Sequence, residues 1–339
     1  MEACLRVAEA MACAVCVMPD AKGAFPEDHE LFIGVYWGVV SSPICQEIVE
    51  SADVILCIAP VFSDYTTVGH TAMPQSEKTI IVYRNSVDVT SETFPKIALV
   101  PFLDTFASFV TPNPTTMKSF KGLREKPSST YSPSANERKG PLRTTRLYKH
   151  IQDLLEKNTS LLVETGDSWF NAMELTLPRG AEFHIQMTYG SIGWSLGAML
   201  GLAAAQPSRK HILLIGDGSF QMTAQEMSTI MRFGYKGLIV LLNNDGYVIE
   251  IKIHDGPYNN IQHWNYTDLV NAWKGREGKG KAWKVETEEE LETALVEVAE
   301  FDGLAFVEAV LDKNNCNPKL LRWAAKVAEY NSKPPQASE

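Results

Sequence analysis

The chain has 339 residues and a mass of 37.6 kDa, enough for two ordinary domains, each with a core of its own. Apolar residues at 45% and charged residues at 21% sit near the averages for soluble globular proteins and exclude fibrous or disordered classes. A formal net charge of -10 and a pI near 5.3 exclude a nucleic-acid partner, since polyanions are bound by clustered Lys and Arg.

Residues 1 to about 110 alternate helix-like and strand-like segments. An opening helix runs through Met11, followed by a strand at CAVCVM, a helix near ICQEIVESA, and strands at DVILCIAP and KTIIVY. Turn residues after the strands (Pro19-Asp20, Pro60) fit a parallel sheet covered on both faces. The most apolar N-terminal stretch, residues 7–18, is interrupted by Glu9 and falls short of the roughly 18 residues a membrane span needs. No basic region precedes it, so the start does not read as a secretory signal. The expectation is a cytosolic protein with no membrane partner.

Six cysteines (Cys4, Cys13, Cys16, Cys45, Cys57, Cys316) are scattered through apolar surroundings and read as reduced. Cys13 and Cys16 form a C-x-x-C, a pattern that also serves metal and redox sites. On a buried strand, however, residues three apart point to opposite faces, and no second Cys or His pair completes a zinc site. Core cysteines are expected there. Sequons at Asn158 and Asn265 carry little meaning in a cytosolic chain.

Residues 111–144 turn to Pro, Ser, Thr, Lys and Arg and read as a linker. A second α/β domain, residues 145–339, begins with the amphipathic RLYKHIQDLL. It continues through SLLVETG, the strand HILLIGDG, a helix, the strand LIVLLNNDG, the strand AFVEAVL and a last helix, LLRWAAKVAEYN. The terminal SKPPQASE is expected to fray. The fold class is therefore α/β, two domains with parallel sheets flanked by helices.

The stretch from His211 to Glu250 reads as one βαβ unit. Its first strand ends in Gly216-Asp217-Gly218, where glycine permits a tight turn. Thr223 and Glu226 form a T-x-x-E capping box, Met227, Ile230 and Met231 give the helix an apolar face, and Gly234 ends it. A right-handed crossover brings the two strand ends together, so Asp217 and Asn244 face one site at the carboxyl edge of the sheet. A carboxylate and an amide oxygen suit Mg²⁺, which shares its six ligands with phosphates and water. The pair therefore implies a phosphorylated cofactor. Neither G-x-x-x-x-G-K-[ST] nor a G-x-G-x-x-G after a strand is present, which excludes the common nucleotide motifs.

G-D-G followed after 24 residues by N-N resembles the diphosphate-binding motif of the thiamine diphosphate enzymes. GDGSFQMTAQEMSTIMRFG, LNNDGYVIE, HDGPYNNIQHWNY and ETGDSWFNA resemble the pyruvate decarboxylases. MPDAKGAFPEDHELFIGVYWG and VESADVILCIAP are similar to that family's central domain, and the chain from about residue 145 to its diphosphate-binding domain. The resemblance implies that Asp217, Asn244 and the carbonyl of Gly246 hold Mg²⁺. Gly218, Ser219 and Asp167 would lie against the cofactor together with Gly190, Ser191, Tyr247 and Ile249. Ile192, in GSIGWSLGAMLG, corresponds to the family's apolar wedge that bends the cofactor.

Alternatives stay open at this point. Gly190, Gly193, Gly197 and Gly201 also suit close helix packing, and Asp167 also suits an N-cap. Glu250 matches the family's catalytic acid, which an apolar pocket and a diphosphate neighbour would give a raised pKa; the competing reading is a solvated helix residue. His254 and His263 do not match the family's adjacent His-His pair and read as structural or surface residues.

The implied activity is decarboxylation of a 2-oxo acid, pyruvate to acetaldehyde and CO₂, by a homodimer or homotetramer. The family's activating glutamate and His-His pair belong to an N-terminal pyrimidine-binding domain with no counterpart in the 339 residues. The chain is therefore expected to be part of a longer decarboxylase and inactive alone. An inactive short paralogue or regulatory partner, and a decarboxylase of bulkier 2-oxo acids such as indolepyruvate, are the competing expectations.

Overall fold

The computed structural model describes residues 2–124 and 138–332. The fraying expected of the last residues and the middle of the expected linker lie outside the described residues. The chain divides into two compact units, residues 1–129 with 329–339 and residues 130–328.

In the first unit, helix α1 (Glu2–Met11) leads into β1 (Val15–Val17), which pairs in parallel with β2 (Phe32–Val35). Helix α2 (Cys45–Glu50) follows, then β3 (Ile55–Ile58), parallel to β4 (Thr79–Val82). Strands β5 (Ser86–Val89) and β6 (Glu92–Pro95) extend that sheet by antiparallel pairing to the order β3-β4-β5-β6. These hairpin strands escape the hydrophobic pattern because they are four residues long and β6 is exposed throughout. Ala3 and Val7 of α1 pack with Leu103 of α3 (Leu99–Phe109), over Leu56 and Ile58 of β3.

The expectation for CAVCVM needs correction. Strand β1 covers only three of its residues, and Cys13 and Cys16 are half-buried rather than core. Cys16 hydrogen-bonds the thiol of Cys45, which is fully buried. Part of the expected linker is also ordered. Residues 115–124 form α4 (Thr115–Arg124), which buries Met117 and Phe120.

The second unit holds the sheet that matters for chemistry. Its strands are β7 (Thr159–Val163), β8 (Glu182–Ile185), β9 (Lys210–Gly216), β10 (Gly237–Asn243), β11 (Gly280–Val285) and β12 (Leu304–Val310). They lie in the order β11-β12-β10-β9-β7-β8, with every neighbouring pair parallel. Helices cover both faces of such a sheet, so its inner strands are continuous apolar runs. HILLI and LIVLL are fully buried on both sides. Helix α5 (Thr144–Leu154) opens the unit, and α6 (Asp167–Ala172) and α7 (Trp194–Ala205) follow β7 and β8. Strands β9 and β10 are joined by α8 (Asp217–Thr223) and α9 (Glu226–Arg232), and α10 (Val248–Ile253) and α11 (Tyr266–Trp273) come between β10 and β11. Met227, Ile230 and Met231 of α9 join Leu213, Ile215, Ile239 and Phe306 in one core, as their spacing predicts. Gly234, at φ +67°, follows the helix in the left-handed conformation.

The capping box expected at Thr223 and Glu226 does not form. The chain breaks into two helices, Gln225 precedes α9 without a side-chain cap, and the Thr223 hydroxyl donates to the carbonyl of Gly193 at 2.7 Å. A true capping box stands at Thr287 and Glu290, where α12 (Glu288–Glu300) starts. There the same T-x-x-E pattern follows a strand directly. In the first turn of α12, Glu288 is gripped by Arg146 and His150 of α5, and the guanidinium holds its carboxyl below the usual range.

Candidate functional site

The order of strands reverses between β7 and β9: the chain leaves β7 toward β8, then crosses back to β9 and β10. Open α/β sheets bind ligands in the crevice this reversal creates at the carboxyl ends of the strands. A cleft of about 180 Å³ lies there. The end of β7 supplies Thr165 to Ser168, β9 supplies Gly216 to Ser219, and β10 supplies Asn244 and Gly246 to Glu250.

Register explains how Asp217 meets Gly246. Leu242 of β10 pairs with Gly216 of β9, so the residues just past each strand lie side by side. The Asp217 carboxylate, with no exposed surface, accepts the N–H of Gly218 at 2.9 Å and of Gly246 at 3.0 Å. Gly246 has φ +119°, a left-handed conformation, and a Cβ there would come within 3.0 Å of the Asn259 carbonyl. At Gly218 a Cβ would meet the Tyr247 ring at 2.5 Å, so that ring packs directly on the glycine backbone.

Two buried carboxyls, Asp217 and Asp167, line the cleft, and a third, Glu164, immediately precedes its Thr165. Burial raises Asp217 to about 6, against the opposing pull of its two backbone donors. Burial likewise raises Asp167 to about 6, partly offset by the Asn317 N–H and the Asn171 amide. Glu164, with no exposed surface, is raised by burial despite four hydrogen bonds from Ser195, Thr165 and Gly193.

The Asp167 shift has a testable sign. A carboxyl whose folded value is raised above 3.8 costs nothing while protonated in both states, and its cost grows as pH rises from about 4 to about 6. A shift of this size is on the order of 2–3 kcal/mol. Asp167→Asn is therefore expected to gain stability relative to the parent by that amount between about pH 4 and pH 7, as measured by urea unfolding at each pH. A difference that is flat with pH refutes the assignment.

The cleft is lined by Asp167, Ile192, Asp217, Gly218, Ser219, Asn244, Gly246, Tyr247, Ile249 and Glu250. Gly190 and Ser191 lie outside it on the preceding loop, where the Gly190 N–H donates to Gln186. Asp167 is the first residue of α6 and not its cap, which is Gly166; its carboxylate ties α6 to Asn317. Gly197 and Gly201 are exposed, and a Cβ at either would meet nothing within 4 Å, so close packing within this chain does not explain them. Gly193 does need its small size, since a Cβ would come within 2.8 Å of that of Met222. Glu250 reaches the cleft, but its side chain is exposed rather than set in an apolar pocket. The α10 helix (Val248–Ile253) that carries it buries Val248 and Ile249 instead. His254 and His263 are exposed, the first contacting Tyr258 and the second pairing with Asp245 at 3.0 Å.

Glu164 and Thr165 open the ETGDSWFNA segment but carry no expected role there, and Asn317 belongs to no motif in the sequence. The acid closing the apolar run SLLVE is the available signal for Glu164, because a carboxylate at the end of a buried strand needs partners. Asn317 has none, since its partner is 150 residues away.

Two other features lack convergent chemistry. An open groove of about 550 Å³ runs along β11 and α12 between Lys139, Lys284, Glu289 and Glu297. His150, Glu288 and Glu292 have metal-ligand spacing, but Arg146 already occupies Glu288.

Residues 1–108 match the central domain of the thiamine pyrophosphate enzymes, and residues 165–309 match their C-terminal thiamine pyrophosphate-binding domain. The chain is 44% identical to pyruvate decarboxylase 3 of Arabidopsis thaliana, covering 98% of this chain and 56% of that protein. It is 45% identical to pyruvate decarboxylase 1 of Zea mays, covering 98% and 55%. Against pyruvate decarboxylase 2 of Pisum sativum it is 44% identical over 98% of this chain and 82% of that protein. Thus the chain spans little more than half the length of most of these relatives. With its cleft at the switch point and its matches to both domain models, the chain belongs to the pyruvate decarboxylase family of thiamine pyrophosphate enzymes.

Proposed function

We propose that this chain supplies the Mg²⁺–diphosphate half of a 2-oxo acid decarboxylase site, acting on pyruvate to give acetaldehyde and CO₂. The observation that carries the reading is the all-oxygen donor set of Asp217, Asn244 and Gly246 in one cleft at the strand ends, which fits Mg²⁺ shared with a diphosphate. Asp217 offers a carboxylate, Asn244 its amide oxygen and Gly246 its carbonyl. Gly218 and Ser219, at the start of α8, would hold the diphosphate, and Ile192 and Ile249 would border the thiamine rings. When bound, the cofactor supplies the electron sink that lets CO₂ leave.

The chain's own residues position and protonate. Glu250, at the mouth of the cleft, is placed to hold or give a proton at the substrate carboxylate. Its side chain is exposed in this chain. A homodimer or homotetramer in the cytosol is the setting we propose, with a pyrimidine-binding domain completing the site.

The test is calorimetric titration of the 339-residue chain with thiamine diphosphate, with and without Mg²⁺. Binding that requires Mg²⁺ is expected, and no binding in either condition overturns the reading. Aldehyde release from pyruvate is expected to be absent for the chain alone. It should appear when the chain is joined to the pyrimidine-binding domain of a full-length relative.

A further inference from the structure

We infer that Glu164 and Thr223 are positioning residues that clamp Gly193, the residue after Ile192, at the wall of the cleft. The inference rests on the cofactor reading above. Gly193, immediately after Ile192, has both of its backbone polar groups held by side chains from different elements. Its N–H donates to Glu164 Oε2 at 3.0 Å, just past the end of β7. Its carbonyl accepts the Thr223 hydroxyl at 2.7 Å, at the last residue of α8. Glu164 Oε2 also accepts the Ser195 N–H at 3.1 Å and its hydroxyl at 2.7 Å, and Oε1 accepts the Thr165 N–H at 2.9 Å.

Sterics close the clamp. Gly193 sits at φ +82°, and a Cβ there would meet Met222 Cβ at 2.8 Å and Thr223 Cγ2 at 3.2 Å. The loop is therefore pinned between β7 and α8, the two elements that carry Thr165–Ser168 and Asp217–Ser219 into the same cleft. Ile192 cannot shift without breaking at least one buried hydrogen bond. A fully desolvated carboxylate at Glu164 is costly unless its lone pairs are satisfied, and four donors satisfy them here. Thr223 serves this loop rather than capping α9, which is why the T-x-x-E pattern fails.

A carboxylate that only capped α7 would set stability without distinguishing ligands. The positioning role predicts ring-selective loss, because Ile192 would border the thiamine rings while Asp217 to Ser219 would hold the diphosphate. The full 339-residue chain is titrated with Mg²⁺ plus thiamine diphosphate and, separately, with Mg²⁺ plus inorganic diphosphate, as the unmodified protein, Thr223→Val and Glu164→Gln. Thr223→Val preserves shape at a half-buried position, so it retains the fold even where the glutamate variant does not. Each variant is expected to lose about fivefold to tenfold in thiamine diphosphate affinity, the worth of one lost hydrogen bond, with inorganic diphosphate changed by less than about twofold. Ile192→Ala is expected to show the same selective loss.

Equal losses for the two ligands, or no loss for either, overturn the clamp while leaving the cofactor reading intact. Equal affinity of the unmodified chain for both ligands also overturns it, because the ring contact then contributes nothing. Failure of the unmodified chain to bind either ligand overturns the cofactor reading and the clamp with it.

Discussion

Replacing Asp217 by asparagine is expected to lower Mg²⁺-dependent affinity for thiamine diphosphate by more than about 100-fold, beyond the roughly 10–100-fold typical of residues one shell further out. Asp217 is the one carboxylate in the donor set, so it carries the formal charge that compensates the Mg²⁺ ion for lost water. The fold is expected to survive. Asparagine keeps a side-chain oxygen for the N–H of Gly218 or Gly246, and it removes a carboxylate that burial already pushes up to about 6. Stability near pH 7 should therefore change little or rise while binding collapses, a split that a merely structural aspartate would not give. Calorimetry and urea unfolding on the same preparation measure both; a loss in affinity below about tenfold would falsify the metal role.

The second large effect is expected in the unit that does not hold the cleft. In the first unit Lys22 Nζ lies 2.8 Å from Glu27 Oε1, with 2% and 4% of the two side chains exposed. Two charges this deep are tolerable because they face each other, and removing one takes this close counter-charge from the other. Lys22→Met is expected to cost about 3–5 kcal/mol, and Lys22→Met combined with Glu27→Met to recover most of that, since an apolar pair of similar volume often replaces a buried ion pair without loss. Denaturant unfolding of the full chain measures both. Equal destabilisation by the single and double variants would show that the lysine acts through packing rather than through its charge.

Lys22 lies in MPDAKGAFPEDHE, a stretch in which the sequence marks turns but no buried charge. Lysine is nearly always exposed, so only the chain folding back on itself can reveal such a pair. Glu250 is the converse case. Its place in GYVIE suggests a carboxyl in an apolar pocket, yet α10 turns Val248 and Ile249 inward and leaves the acid outward. Helical rotation, which short segments specify weakly, decides that.

The features that sequence alone determined are local. HILLI and LIVLL are apolar runs long enough only for buried strands, Met227, Ile230 and Met231 repeat at helical spacing, and G-D-G and N-N stand at the strand ends. Those patterns place Asp217 and Asn244 at one sheet edge, because a parallel crossover has one favoured hand. Tertiary structure decided which donor each buried oxygen takes. Asp167 finds the Asn317 N–H, Glu164 finds Gly193 and Ser195, and Thr223 turns from capping its own helix to hold the Gly193 carbonyl. The reason is physical. Periodicity records which face of an element is buried, whereas a hydrogen-bond partner depends on which elements become neighbours, and that is settled only when β7, β9 and β10 lie side by side.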